Sequence, residues 1–264
     1  MSSRVLAVAR VQAAKLWRRK FVVLFGLAPF ALSLLVAGPA ILLFKSTTGG
    51  AESGPVFRFG MILGWGGFLS VAGCVLALLL GATAVHRDIT DATIFPVLAK
   101  PVSRTEALLG KYVGSAYVLG LYLAIEALIL LVATSQAGPH ANWWQVLGAL
   151  ANDVLRFGTF LSMGLAVGVI LRPAVGLSVV AGCGIWLMLL DPLLQSHSGK
   201  ARFFGLAALS LFPHTGYWNG WLDTTESMQT DPASHLARLA YVVLWGLLFL
   251  ALANWRFDRR ELTH

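Results

Sequence analysis

Six long apolar runs constrain this chain more than any other feature of its sequence. They occupy about residues 21–44, 59–85, 112–133, 146–171, 174–194 and 238–255. A bilayer core of about 30 Å needs roughly 20 apolar residues per helix. Transmembrane β-strands would instead show segments of about ten residues with alternating hydrophobicity, whereas these runs are continuous. The sequence therefore predicts an all-α integral membrane protein, with six transmembrane helices in a single domain over residues 21–264.

The charged residues are few and unevenly distributed. They make up 12% of the chain, against about 25% in soluble domains. If the amino terminus is cytoplasmic, most of the 20 Lys and Arg residues fall before residue 21, within 86–111 or after residue 255, all on the cytoplasmic side. This is the positive-inside signature of multi-pass proteins. It predicts that both termini are cytoplasmic, and it assigns the net charge of +8 to contact with lipid rather than nucleic acid.

Residues 1–20 are predicted to form an amphipathic helix in the cytoplasmic interface of the membrane. Val5, Ala9 and Leu16 recur at helical spacing, while Arg10 faces elsewhere. Such a helix lies along the membrane surface with its apolar face in the acyl boundary. The simpler alternative is a positively charged flank that only fixes the topology.

The longest external connection is predicted at residues 195–237. It contains an apolar stretch at 203–212 that is too short to span a bilayer. A stretch of this length is typical of a re-entrant or interfacial segment. We therefore predict such a segment between transmembrane helices 5 and 6.

Residues 86–111 form a charged, proline-containing connection between the second and third apolar runs. Within it, Ser103 and Glu106 match a capping box, in which each side chain accepts the backbone N–H of the other residue. The third helix is therefore predicted to begin in the cytosol, about two turns before its apolar part. Lys111 would mark the point where it enters the membrane.

An apolar group lies upstream in the same connection. Ile94, Phe95 and Leu98 are predicted to sit on a short cytoplasmic helix. Exposed apolar side chains on a short rigid element are typical of residues that dock into the groove of a partner. The alternative is that they fold back onto the helices of this chain, and both can hold.

Three motifs give the chain a resemblance to a known family. Residues 99–104, AKPVSR, and 106–114, EALLGKYVG, are similar to the pattern KPVSR-x-E-(apolar)-LLGK-(aromatic)-x-G. This pattern belongs to type-two ABC exporter permeases, especially the branch that includes the nitrous-oxide-reductase maturation permease. Residues 88–93, DITDAT, resemble the acidic element that precedes the pattern, and residues 256–262 resemble the basic tail after span six.

The resemblance implies the permease subunit of an ATP-driven exporter in the inner membrane of a bacterium or archaeon. Such permeases act as a dimer of identical or related permease subunits with two copies of a separate ATPase, which binds ATP and Mg. This chain has no G-x-x-x-x-G-K-[ST] phosphate-binding motif, so we expect it to bind no cofactor and to be no enzyme by itself. The residues implied to couple it to the ATPase are Asp88, Asp91, Thr93, Ile94, Phe95, Leu98, Lys100, Pro101, Ser103, Arg104 and Glu106.

One alternative function stays open at this point. A non-transporting membrane scaffold or assembly factor could also bind an ABC ATPase and transmit mechanical work to a partner. The identity of a transported substrate is equally open, and lipid, peptide, drug and sulfur- or metal-related cargo all fit the sequence.

Ionisable residues inside the apolar runs are candidates for function, because burying a charge in a membrane is costly. Glu126, in the third run, is a candidate for a transport path, or alternatively a structural hydrogen-bonding residue. Asp153 and Arg156 are three residues apart on one helix and are expected to pair near its outer end.

The sequence gives no sign of a metal site or of a catalytic site. The histidines are too widely spaced for a metal site, and no arrangement of catalytic residues is evident. The histidines predicted outside are His140, His197, His214 and His235.

Overall fold

Helices account for nearly all the residues that the structure describes. The computed structural model describes residues 3–18, 26–31, 53–90, 103–135, 143–171, 178 and 232–259, except the side chains of 53–65, 86–90, 144–145 and 232–238. The main elements are α1 (Ser3–Trp17), α2 (Ser53–Thr90), α3 (Arg104–Ser135), α4 (Trp143–Ile170) and α5 (Pro232–Arg259). Residues 26–31, within the first predicted span, are helical as well.

Four of these helices are long and apolar enough to cross a membrane. Their apolar portions are Gly66–Val85, Arg104–Ser135, Val146–Ile170 and Leu239–Arg259. They correspond to the second, third, fourth and sixth predicted spans. The described residues are all-α, as predicted, and four of the six predicted spans are helices of sufficient length and hydropathy; the total of six stays a prediction. The rest of the first and fifth predicted spans, and the predicted re-entrant segment at 203–212, lie outside the described residues.

The helices extend beyond the apolar runs that predicted them. α2 was predicted over 59–85, yet it contains 38 residues and is therefore about 57 Å long at 1.5 Å per residue. This is nearly twice the bilayer core of about 30 Å. Backbone hydrogen bonds hold a helix together wherever its residues permit, so an apolar window marks the part in lipid and not the ends of the helix.

One apolar cluster marks the end of the bundle where several helices meet. It contains Val85 near the end of α2, Leu108 near the start of α3, Val169 near the end of α4 and Phe257 near the end of α5. Helices α2, α4 and α5 therefore run toward this end, and α3 runs away from it. We call it the Arg104 end, after the first residue of α3.

Glycines allow α2 and α4 to cross with their backbones in contact. A Cβ added to Gly81 would lie 2.4 Å from the carbonyl oxygen of Leu161, and one added to Gly168 would lie 2.3 Å from that of Ala82. At Gly164 it would lie 2.4 Å from the carbonyl oxygen of Leu78. Small residues let membrane helices approach closely, and no side chain fits at these three positions without separating the helices.

Helix α1 packs alongside the first half of α3. A Cβ on Gly110 would lie 2.5 Å from Cβ of Val8, and one on Gly114 would lie 2.6 Å from the carbonyl oxygen of Ala9 and 2.8 Å from Cβ of Gln12. The order of these contacts shows that the two helices run in the same direction. A helix is thus present at Ser3–Trp17, within the residues for which an amphipathic helix was predicted, and α3 covers the face that carries Ala9 and Gln12. Its location in the membrane interface stays a prediction.

Candidate functional site

The start of α3 is fixed by the predicted capping box. The backbone N–H of Ser103 donates to Oε2 of Glu106 at 3.0 Å, and the N–H of Glu106 donates to Oγ of Ser103 at 3.1 Å. Two of the N–H groups that a helix leaves unpaired at its start are thereby satisfied. The prediction from the S-x-x-E spacing is confirmed, and α3 has a defined first residue where the connection 91–102 joins it.

Arg104 attaches the start of α3 to the end of α5. Its Nη1 donates to the carbonyl oxygen of Phe257 at 3.3 Å and to that of Asp258 at 2.8 Å. Both carbonyls belong to the last turn of α5, where helices lack internal partners and where a positive charge is favourable. The residue predicted to take part in coupling to a partner thus also joins two helices of its own chain.

Lys111 forms a third link at the same end. It is buried, and its Nζ donates to the carbonyl oxygen of Ala84 in α2 at 3.0 Å. The sequence predicted that this lysine marks the membrane boundary, but its ammonium group points into the bundle. Arg104 and Lys111 together tie α3 to both α5 and α2.

The predicted coupling residues fall into three groups. Ser103, Arg104 and Glu106 are described and lie together at the Arg104 end. Asp88 is in the last turns of α2, with a side chain outside the description. The remaining seven lie outside the described residues; they are Asp91, Thr93, Ile94, Phe95, Leu98, Lys100 and Pro101.

A second group of polar residues is buried farther along the bundle. We call Ser70 of α2, Glu126 of α3 and Asp153 and Arg156 of α4 the buried polar cluster. Each of them is at most 7% exposed. At 1.5 Å per residue they lie roughly 20–27 Å along the helices from the Arg104 end.

Ser70 joins the acidic and basic members of this cluster. Its Oγ donates to Oδ1 of Asp153 and accepts Nη1 of Arg156 at 2.9 Å. Asp153 and Arg156 also pair directly at 3.6 Å, which confirms their predicted interaction. Sequence reasoning missed Ser70, because a serine in an apolar run gives no signal until the facing helix is known. Asp153 is about 15 Å along α4 from Trp143, in the half of the helix that was predicted to be the outer one.

Glu126 differs from the other members of the cluster. It is 0% exposed, and neither carboxyl oxygen has a hydrogen-bond partner among the described residues. It interacts electrostatically with Asp153 and Arg156. One turn earlier, the hydroxyl of Tyr122 donates to the carbonyl oxygen of Leu69 at 2.7 Å, so that hydroxyl proton is directed away from Glu126.

A small cavity adjoins the cluster. Its volume is about 20 Å³, and a water molecule needs at least about 10–15 Å³ on this measure. A Cβ on Gly67 would meet no atom within 4 Å, so the glycine leaves this space open. The lining residues are Gly66, Gly67, Ser70, Leu130, Val146, Ala149, Asn152, Asp153 and Arg156. The cavity can hold a water molecule beside the polar cluster.

Metal binding finds no support in the part of the chain that the structure describes. It contains no group of three or more His, Cys, Asp or Glu side chains arranged to hold an ion. Cys74 is a buried free thiol. His140, His197 and His214 lie outside the described residues, and His235 is in the first turn of α5, where side chains are not described.

The profile of a known protein family matches almost the whole sequence. Residues 11–262 match the profile of the family described as ABC-2 family transporter protein. The matched region includes the four apolar helices, the Arg104 end and the buried polar cluster. No curated protein sequence matches the chain.

Proposed function

Because the chain belongs to the ABC-2 transporter family and is thus a membrane permease component of an ABC transporter, we propose that a separate ATPase drives it through residues 88–102. We propose further that it is an exporter, and that it resembles the branch containing the nitrous-oxide-reductase maturation permease. Its partners would be two ATPase copies, which bind the ATP and Mg, and a second permease subunit, identical or related.

The observation that carries this proposal is the way the Arg104 end joins the helices. The connection 91–102 begins at the end of α2 and ends at the capping box of Ser103 and Glu106. A force applied to this connection would therefore act directly on two long helices. A flexible junction would absorb the same movement.

The hydrogen bonds of Arg104 extend this effect to a third helix. Since its guanidinium group holds the last turn of α5, a displacement of α3 at its start would also move the end of α5. Lys111 couples the displacement to α2 in the same way. Movement of the ATPases would thus reach three spans at once and switch access across the membrane.

The same proposal places the connection 91–102 and both termini in the cytoplasm of a bacterial or archaeal cell, with the chain in the inner membrane. Glu126 is proposed to lie on the transport path, because it is a buried carboxyl group that interacts with Asp153, and Asp153 lines a water-sized cavity.

The docking of the ATPase can be tested by changing the apolar group of the connection. Replacing Ile94, Phe95 and Leu98 together with aspartate should abolish co-purification with the cognate ATPase while the permease still inserts into the membrane. The matched control replaces the same residues with Val, Leu and Met, which keeps them apolar, and should retain the ATPase. Unchanged co-purification of the aspartate variant would refute the docking site. Retained ATPase binding without ATP-dependent substrate movement in proteoliposomes would instead favour the non-transporting scaffold.

A further inference from the structure

The charges of the buried polar cluster do not balance if all its groups are ionised. The cluster contains two carboxyl groups, on Glu126 and Asp153, and one guanidinium group, on Arg156. All three are buried in a part of the helices that is apolar enough to lie within a membrane. One proton bound to a carboxyl group would make the cluster neutral.

Geometry decides which carboxyl group is the ionised one. Asp153 accepts the hydroxyl of Ser70 and pairs with Arg156, and both interactions favour a carboxylate. Glu126 has no hydrogen bond to either oxygen among the described side chains and backbone groups. Burying an ionised carboxylate without a partner costs far more than burying a neutral polar group, so Glu126 is the group that holds the proton.

Among the described residues, Arg156 is the one positive charge that acts on Glu126. The titratable groups facing Glu126 are Cys74 on α2, Tyr122 on α3, and Asp153 and Arg156 on α4. On α3 itself, Lys111 is fifteen residues away, about 22 Å along the helix.

Three other described segments contact α3: the helical residues 26–31, which contain no cation, and the helices α1 and α5. α1 meets α3 at Gly110 and Gly114 and runs in the same direction, so Lys15 and the following Arg18 lie beyond Gly114 toward Glu126. Lys15 is half-buried and Arg18 is exposed, and neither is among the charges that act on Glu126. The described cations of α5 are in its last turn, beside the carbonyls that Arg104 holds.

We propose that the buried polar cluster is a proton-binding site, with the proton on Glu126. On release, the O–H bond of the carboxyl group breaks, the electron pair stays on the oxygen, and the proton passes to water. The cavity lined by Asp153, Arg156 and Leu130, the last of which lies one turn after Glu126 on α3, can hold such a water molecule. The timing of release rests on the proposed transport function. Release would accompany the step that separates α3 from α4, because an ionised Glu126 is stable only when water reaches it.

Infrared difference spectroscopy tests the proton directly, since a protonated carboxyl group absorbs apart from ionised carboxylates and from the amide backbone. The sample is the full-length permease with its ATPase in lipid nanodiscs at pH 7. The wild-type minus Glu126→Gln spectrum should show one protonated-carboxyl band that shifts in D₂O. Glu106→Gln, which changes a partly exposed carboxyl group at the Arg104 end, should leave the band in place.

Asp153→Asn makes the test sharper. This variant removes one negative charge, so Arg156 becomes available to balance Glu126, and the band should be lost although Glu126 is still present. Absence of the band in the wild type, or a band that survives in Glu126→Gln, would overturn the proposal whatever the outcome with Asp153→Asn.

Transport measured on the same variants separates this inference from the proposed function. A Glu126 band with wild-type transport by Glu126→Gln would keep the proton site and remove Glu126 from the transport path. A missing band together with impaired transport by Glu126→Gln would remove the proton site and keep Glu126 on the transport path. The expected loss of ATPase binding when Ile94, Phe95 and Leu98 are replaced with aspartate tests the proposed ATPase docking alone, and it affects neither of these two outcomes.

Discussion

The Arg104 end and the buried polar cluster both bring charged groups between helices, but they use them differently. At the Arg104 end, the guanidinium group of Arg104 and the ammonium group of Lys111 donate to backbone carbonyls. These bonds hold α3 to the last turn of α5 and to α2. In the cluster, charged side chains interact mainly with each other, and Glu126 has no hydrogen bond among the described residues. The first arrangement suits the transmission of a movement, and the second suits a change of charge.

The same difference predicts how each region responds to substitution. A residue that donates to a backbone carbonyl can be lost without leaving an opposite charge behind. Loss of a residue that neutralises a buried carboxylate leaves that negative charge buried and unbalanced. Substitutions in the cluster should therefore cost more than those at the Arg104 end.

The largest effect is expected for Arg156→Met. It leaves Asp153 buried without its counter-charge, and breaking a buried ion pair in this way costs on the order of 3–5 kcal/mol. The thermal unfolding temperature of the purified permease in detergent should fall clearly. The matched control is the double variant Arg156→Met with Asp153→Asn, which removes both charges and should recover most of the loss. A single variant as stable as the wild type would show that the pair contributes nothing to the fold.

A smaller effect is expected for Arg104→Gln. The half-exposed guanidinium group would lose its hydrogen bonds to the carbonyls of Phe257 and Asp258. Charge at the end of a helix is worth typically 0.3–1 kcal/mol. We expect faster hydrogen exchange in the last turn of α5 and no change in Gly66–Val85. Arg104→Lys keeps the positive charge, so the rate of hydrogen exchange in the last turn of α5 should lie between those of the wild type and Arg104→Gln. Equal exchange in all three proteins would remove the link between α3 and α5.

The sequence predicted the helices of this fold better than the contacts between them. Continuous apolar runs and the S-x-x-E spacing are local signals, so four spans and the capping box were found. Which glycines meet depends on how two helices rotate and slide past each other, so the contacts of Gly81 with Gly164 could not be derived.

In the candidate sites, too, contacts within one helix could be predicted from the sequence and contacts between helices could not. The i, i+3 spacing of Asp153 and Arg156 predicted their pairing, because it involves one helix. The part played by Ser70 requires the register of a second helix, 83 residues away in sequence. Lys111 was placed at the membrane boundary from its position in the chain, whereas the rotation of α3 directs it to Ala84.

The central claim, that residues 88–102 engage a separate ATPase, can be tested by site-specific photo-cross-linking in membranes that contain both proteins. A photoreactive amino acid is placed at Phe95, and in a matched sample at Trp143. Trp143 begins α4, so it lies at the opposite end of the bundle, and it is exposed. The account predicts an adduct with the ATPase from position 95 and none from position 143. ATPase adducts from position 143 and none from position 95 would contradict it.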